Sequence, residues 1–187
     1  MRIIGGQLSG RTLVAPRGQT TRPTSDKVRQ ALFNILYSRG AQMDKVLDLF
    51  AGSGALGFEA LSRGAGQVDF VEHDRHAVAA IQENAKALGL QAQIRIHPDR
   101  VAAWGKRQSG SAERYDLVFI DPPYADATAQ AEALRLASEV LAGQGLVVVE
   151  HERMDELPSA VGALTKIDQR SYGQTALTFY HRGEVDG

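Results

Sequence analysis

The chain contains no cysteine. That absence excludes disulfides and thiolate metal sites, and it suits a reducing compartment. No apolar run approaches the roughly 18 residues of a membrane span, and Met1-Arg2-Ile3-Ile4-Gly5 has no signal-peptide pattern, so a cytoplasmic protein is expected. The histidines at 73, 76, 97, 151 and 181 show no metal-ligand spacing beyond the pair His73–His76, and no metal is expected. No Ser-His-Asp set emerges, and Gly52-Ser53-Gly54 lacks the spacing of a nucleophile elbow. The sequence shows no internal repeat, low-complexity tract or long linker. Net charge is nearly absent as well, −1 over 187 residues, which argues against gross attraction to a polyanion.

What is present is unevenly spread. Residues 1–39 carry Arg2, Arg11, Arg17, Arg22, Lys27, Arg29 and Arg39 against the single acid Asp26, a local charge of +6 that leaves −7 for the rest. Such an asymmetry marks a polyanion-facing end on an acidic body, or an arginine-rich solvated surface. Hydrophobic residues make up 43% of the chain, enough for one domain with a core and a small appendage.

The pattern of elements divides the chain into an extension, 1–40, and a main domain, 41–183. In the extension, the β-like pieces IIGG and RTLVAP read as a ribbon or hairpin, and Pro23-Thr24-Ser25-Asp26 reads as a helix start with Thr24 or Ser25 as cap. Val28, Leu32, Ile35 and Leu36 share one face of that helix, with Asp26, Arg29 and Phe33 on another. Strands and helices then alternate: strands at 45–50, 67–73, 92–97, 115–121 and 145–151, helices at 55–63, after 73, near 99–107 and at 127–141. Two last strands at 163–170 and 174–181 join at Tyr172-Gly173 as a hairpin. Repeated βα units make an α/β, Rossmann-like protein whose seven-stranded sheet is mostly parallel, with an antiparallel C-terminal hairpin strand.

The first strand runs into Asp48-Leu49-Phe50-Ala51-Gly52-Ser53-Gly54-Ala55-Leu56-Gly57. In an open α/β sheet, ligands bind beyond the carboxyl ends of the strands, where glycines let the backbone approach closely. The stretch satisfies G-x-G-x-x-G, so a dinucleotide is one candidate ligand. S-adenosylmethionine is the other, and Asp48 favours it, because a carboxylate just before the loop can receive the amino group of methionine. Phe50, Ala51, Gly52 and Gly54 are the loop's candidate cofactor contacts. Glu72 ends the second strand, where an acid can accept both ribose hydroxyls; Asp74, two residues on, is the alternative or the cap of the next helix. His73 lies beside them at the cofactor edge. Asp99, followed by Arg100, is placed either to accept from an adenine amino group or to cap a helix.

The fourth strand ends in Phe119-Ile120-Asp121-Pro122-Pro123-Tyr124. An exocyclic amino group of a nucleobase is a poor nucleophile, because its lone pair is delocalised into the ring. A carboxylate and a carbonyl that hold its two N–H bonds draw the nitrogen toward tetrahedral geometry. Asp121 supplies the first acceptor and Pro122 the second, on a corner stiffened by consecutive prolines. Tyr124 can stack on an extruded base.

D-P-P-Y after a fourth strand, with D-x-F-x-G-x-G after a first, resembles the amino-directed S-adenosylmethionine methyltransferases. The opening Met1-Arg2-Ile3-Ile4-Gly5-Gly6, Arg11, and the run from Thr21 to Asn34, TRPTSDKVRQALFN, are similar to the RsmD family. That resemblance covers nearly the whole chain and is weakest over 98–114 and 151–187. It implies methyl transfer from S-adenosylmethionine to the N2 amino group of a guanine in 16S ribosomal RNA, free or within the small subunit or an assembly intermediate. It implies also an N-terminal extension that contacts RNA and closes over the cofactor; a monomer is expected, with other oligomeric states open. Arg2, Arg11, Arg22 and Arg29 are the matching RNA candidates, although Arg29 can instead pair with Asp26 one turn away. D-P-P-Y is shared by adenine-N6 and cytosine-N4 enzymes of DNA or RNA, so those substrates stay open. A non-catalytic RNA-binding assembly factor on the same scaffold also stays open.

Overall fold

The computed structural model describes residues 1–18, 24–123 and 126–183. Its elements in chain order are α1 (Asp26–Ser38), β1 (Lys45–Leu49), α2 (Ala55–Ser62), β2 (Gln67–Val71), α3 (Arg75–Leu88), β3 (Ile94–His97), α4 (Val101–Gln108), β4 (Tyr115–Ile120), α5 (Ala127–Val140), β5 (Leu141–Glu152), β6 (Ala160–Val161), β7 (Leu164–Tyr172) and β8 (Thr175–Arg182). They form one sheet in the order β3-β2-β1-β4-β5-β8-β7-β6. The strands from β3 to β5 pair in parallel, while β8, β7 and β6 are antiparallel. The eighth strand is the two-residue β6, too short to show a sequence period. β5 starts at Leu141 rather than 145, because Leu141 pairs with Tyr115 ahead of an irregularity in the β4–β5 register.

The chain winds from β1 to β2 and β3 on one side, then crosses to β4 on the other. β1 and β4 are therefore neighbours whose connections run in opposite directions, and the crevice beyond their carboxyl ends is where ligands of such sheets bind. Leu49 pairs with both Val71 and Ile120, and Ile120 pairs with Val149. The next residues, Glu72, Phe50 and Asp121, thus follow the ends of β2, β1 and β4 at one level, with Glu150 beside them inside β5.

Alternation along the strands builds a core on each face. Val46, Val68, Phe70, Leu117, Phe119 and Val148 pack under α1, α2 and α3. Leu47, Leu49, Val71, Val118, Ile120, Val147 and Val149 pack under α4 and α5. Each such side chain fully removed from water contributes roughly 1.5–3 kcal/mol. α2 lies very close to β2: a Cβ on Gly57 would stand 2.3 Å from Phe70 and 2.8 Å from Val68, so only glycine fits there.

The N-terminal extension belongs to the first core through Ile3, Leu13, Leu32, Phe33 and Leu36. Its ribbon is a turn closed by the bridge Arg2–Thr12 and the bonds from Ile3 N–H to the Arg11 carbonyl (2.9 Å) and from Leu13 N–H to the Met1 carbonyl (2.8 Å). α2 and α3 hold it down. The buried carboxylate of Glu59 accepts the N–H groups of Ile4 (2.9 Å) and Gly5 (2.8 Å), and Ser62 accepts from Leu8 (2.9 Å). Asn84 receives the N–H of Val14 (2.7 Å) and donates to its carbonyl (3.0 Å). Ser25 is the cap of α1, accepting from Val28 N–H. Arg29 and Phe33, expected on another face, join the buried stripe: Phe33 packs on Phe119 of β4, and Arg29 reaches the Arg2 carbonyl of the ribbon.

Candidate active site

The glycine loop begins with backbone held in the left-handed region at Phe50 (φ 59°), Gly52 (φ 57°) and Gly54 (φ 79°). For phenylalanine that conformation is strained, and such strain collects at functional sites. Gly54 is the cap residue of α2 but has no side chain to offer. Asp48 replaces it, with one carboxylate oxygen accepting the N–H of Gly57 at 3.1 Å. Asp48 is only 2% exposed. Burial pushes its carboxyl well above the usual carboxylate range, the bond from Gly57 opposes this, and the neighbouring Glu72 adds to the rise.

Glu72 turns back toward the loop. Its two oxygens accept the N–H of Gly52 (2.8 Å) and of Asp74 (2.9 Å). Asp74 is the cap of α3, accepting from His76 and Ala77, which engages one of its oxygens with its own helix. The two acids of this corner therefore have different local duties: Glu72 faces the glycine loop and Asp74 the helix. His73 is about half exposed, with Nδ1 3.7 Å from Glu72. Asp99 does not cap α4; Arg100 occupies the cap position without a side-chain bond, and the Asp99 carboxylate is paired with Arg107 of the same helix.

Asp121 ends β4 on the face shared with Asp48, Glu72 and Glu150. Two features of its surroundings have no counterpart in the sequence expectations. Thr24 does not cap α1; its hydroxyl donates to Glu150 at 2.6 Å and lies 3.4 Å from Asp121. Glu150, expected only to fill a strand, stands beside Asp121. Burial raises the Asp121 carboxyl well above its ordinary range, the charges of Glu150 and Asp48 raise it further, and the contact with Thr24 opposes the rise. Glu150 is raised as well, by burial. The one available signal was positional: a carboxylate closing the apolar run Leu146-Val147-Val148-Val149 at the level of Asp121. Pro122 is partly buried and Pro123 exposed, whereas Tyr124 and Arg22 lie outside the described residues.

The other RNA candidates separate. Arg2 and Arg11 are exposed, Arg11 resting on the Ala87 carbonyl at 2.8 Å. Arg29 is a correction to the expectation of an RNA contact. It is 0% exposed and bonds Asp26 (2.6 Å) and the Arg2 carbonyl (3.0 Å), so it braces the ribbon on α1 rather than presenting charge to solvent. Among the described residues no cluster of three histidine or acidic side chains has metal-holding geometry, and no helix is long and apolar enough to cross a membrane.

Asp48, Glu72, Asp121 and Glu150 thus share one face of the sheet near the carboxyl ends of β1, β2, β4 and β5. Four carboxylates gathered on one face favour a cation, and they offer acceptors to amino and hydroxyl groups. Asp48 and Glu72 keep unused acceptor positions, since a carboxylate has about four lone-pair sites and each here spends one or two.

The family described as conserved hypothetical protein 95 matches residues 1–181. The Ribosomal RNA small subunit methyltransferase D of Escherichia coli K12 is 35% identical, over 100% of this chain and 93% of its own. The YlbH protein of Bacillus subtilis strain 168 is 38% identical over 97% of this chain and 99% of its own. Among solved structures, the hypothetical protein TTHA0928 of Thermus thermophilus superimposes with a TM-score of 0.83 at 34% identity, covering 97% of this chain and 99% of that one. The structure of SMU.776 complexed with SAH has the same fold at a TM-score of 0.64 and 18% identity, over 81% of this chain and 49% of that one.

Proposed function

The chain belongs to the RsmD family, that of Ribosomal RNA small subunit methyltransferase D, and from this premise we propose that it transfers a methyl group from S-adenosylmethionine to the N2 amino group of a guanine in 16S ribosomal RNA. The observation that carries this reading is the placement of Asp121 and the glycine loop at the same level on adjacent strands β4 and β1. An acceptor for an amine and a cradle for a cofactor then open into one slot. The name of the Escherichia coli relative supports ribosomal RNA as substrate, and the fold shared with a protein solved with SAH, the demethylated form of this donor, supports the cofactor.

When bound, S-adenosylmethionine supplies an electrophilic methyl carbon on a positively charged sulfur. Asp48 receives the ammonium end and Glu72 the ribose hydroxyls, using acceptor sites that Gly57, Gly52 and Asp74 leave open. Phe50, Ala51, Gly52 and Gly54 line the approach, with His73, Asp99 and Arg100 at the adenine side. The row of carboxylates favours a cationic donor over its neutral product, which promotes release after transfer. On the substrate side, Asp121 and the Pro122 carbonyl accept the two N–H bonds of the guanine amine, and the rigid proline corner limits reorganisation. Tyr124 stacks on the base, and Arg2, Arg11 and Arg22 contact RNA phosphates.

Mass mapping of modified nucleosides in 16S rRNA from cells lacking the protein tests the assignment. The reading expects one N2-methylguanosine to disappear and to return when purified protein and S-adenosylmethionine are added. An unchanged nucleoside map, or restoration of an N6-methyladenosine or N4-methylcytidine instead, overturns it.

A further inference from the structure

Thr24, Glu150 and Asp121 meet at the carboxyl end of β4 and β5, with Asp121 and Glu150 standing 97 and 126 residues from Thr24 in sequence. Thr24 has one hydroxyl proton, and the distances of 2.6 Å to Glu150 and 3.4 Å to Asp121 show where it goes. The Thr24 hydroxyl therefore lies within reach of both carboxylates, and the shorter distance makes Glu150 its preferred acceptor. Glu150 is fixed in turn by the β4–β5 register and by pairing with Leu177 on β8.

We propose that Glu150 is a positioning residue for methyl transfer: by taking the Thr24 proton it leaves Asp121 an undivided acceptor, first of the amine N–H and then of the proton that the methylated nitrogen sheds. This rests on the reading of Asp121 given above. In the step itself the bond from sulfur to the methyl carbon breaks with its electrons staying on sulfur. The amine lone pair forms the new N–C bond. The cationic nitrogen then passes one proton to the Asp121 carboxylate, which returns it to solvent as product leaves. A carboxylate already accepting from Thr24 would be a weaker acceptor at both stages. The charged groups that face Asp121 among the described residues are Glu150 from β5 and Asp48 from β1, and the start of α1 contributes only the neutral Thr24. Both charges make Asp121 more basic.

Single-turnover methyl transfer to unmethylated 16S rRNA, followed against pH, tests this with Glu150→Gln, Glu150→Ala, Thr24→Val, Thr24→Ser and Asp121→Asn. Glu150→Gln removes charge but keeps shape and an acceptor for Thr24. Its acid limb moves to lower pH through the lost charge, whereas Glu150→Ala also removes the acceptor, turns the Thr24 proton to Asp121, and lowers the plateau rate about tenfold, within the usual share of acid–base catalysis. Thr24→Val leaves two carboxylates facing each other without a bridge, so its limb moves to higher pH, whereas Thr24→Ser behaves as wild type. If Glu150→Ala lowers only thermal stability, with wild-type rate and pH profile, the positioning role is overturned and the reading of Asp121 stands. Retained turnover in Asp121→Asn removes that reading instead.

Discussion

The carboxylate of Glu72 accepts the backbone N–H of Gly52 at 2.8 Å, joining the end of β2 to the tip of the glycine loop 20 residues earlier. The side chain proposed for the ribose is thus also a strut for the loop proposed to hold the rest of the cofactor. Because it works on both, Glu72→Ala is predicted to weaken S-adenosylmethionine binding about 10- to 100-fold, the loss of one or two charge-assisted bonds. Asp74→Ala removes an α3 cap and costs about 1 kcal/mol of stability, with affinity nearly intact. Calorimetric titration beside thermal melts separates the two acids.

Asp48 sets ligand binding against stability. Its folded carboxyl titrates above the unfolded value near 3.9. A group raised in this way favours the fold below the unfolded pKa, and that advantage is lost as pH rises through the folded pKa. Asp48→Asn keeps an oxygen for Gly57 N–H and carries no charge to bury. Its ligand-free form is predicted to melt higher than wild type at neutral pH, with the gap vanishing toward about pH 3–4, while cofactor affinity drops. Melting curves from about pH 3 to 8 check the sign.

Much of this site was legible in the sequence, for a physical reason. Period-two and period-3.6 patterns report burial on strands and helices, so the βα alternation and the strand ends carrying Asp48, Glu72 and Asp121 follow from local residues. The glycine loop follows as well, since Gly52 and Gly54 adopt φ angles that few other residues tolerate. Thr24 with Glu150, and Glu59 with Ile4 and Gly5, are contacts between distant segments, and no local pattern encodes them. Arg29 misled because a charged residue is rarely fully buried, and only the ribbon folding over α1 makes it so. The alternative of Asp99 as a helix cap fails because Arg107, farther along that helix, takes its carboxylate.

The arginines of the extension should respond differently to substitution. Arg11 is exposed, so Arg11→Ala is predicted to weaken RNA binding and to lower the slope of log affinity against log salt by about 0.7, the value for one single-strand phosphate contact. Arg29→Ala should instead cost about 2–3 kcal/mol of stability, through lost packing of its stem and the lost bond to the Arg2 carbonyl. Its salt slope stays that of wild type. Filter binding over a salt series, with melting temperatures for both variants, distinguishes surface charge from internal brace.

The most direct test of the account is the single-turnover rate of Asp121→Asn on 16S rRNA from cells lacking the protein, with bound S-adenosylmethionine measured in the same samples. Asparagine fills the same space but places a neutral amide where the amine needs a carboxylate. The predicted result is a rate at least about 10²-fold lower with cofactor affinity within a few-fold of wild type. A rate within a few-fold of wild type would contradict the assignment of Asp121 as the group that holds the amine.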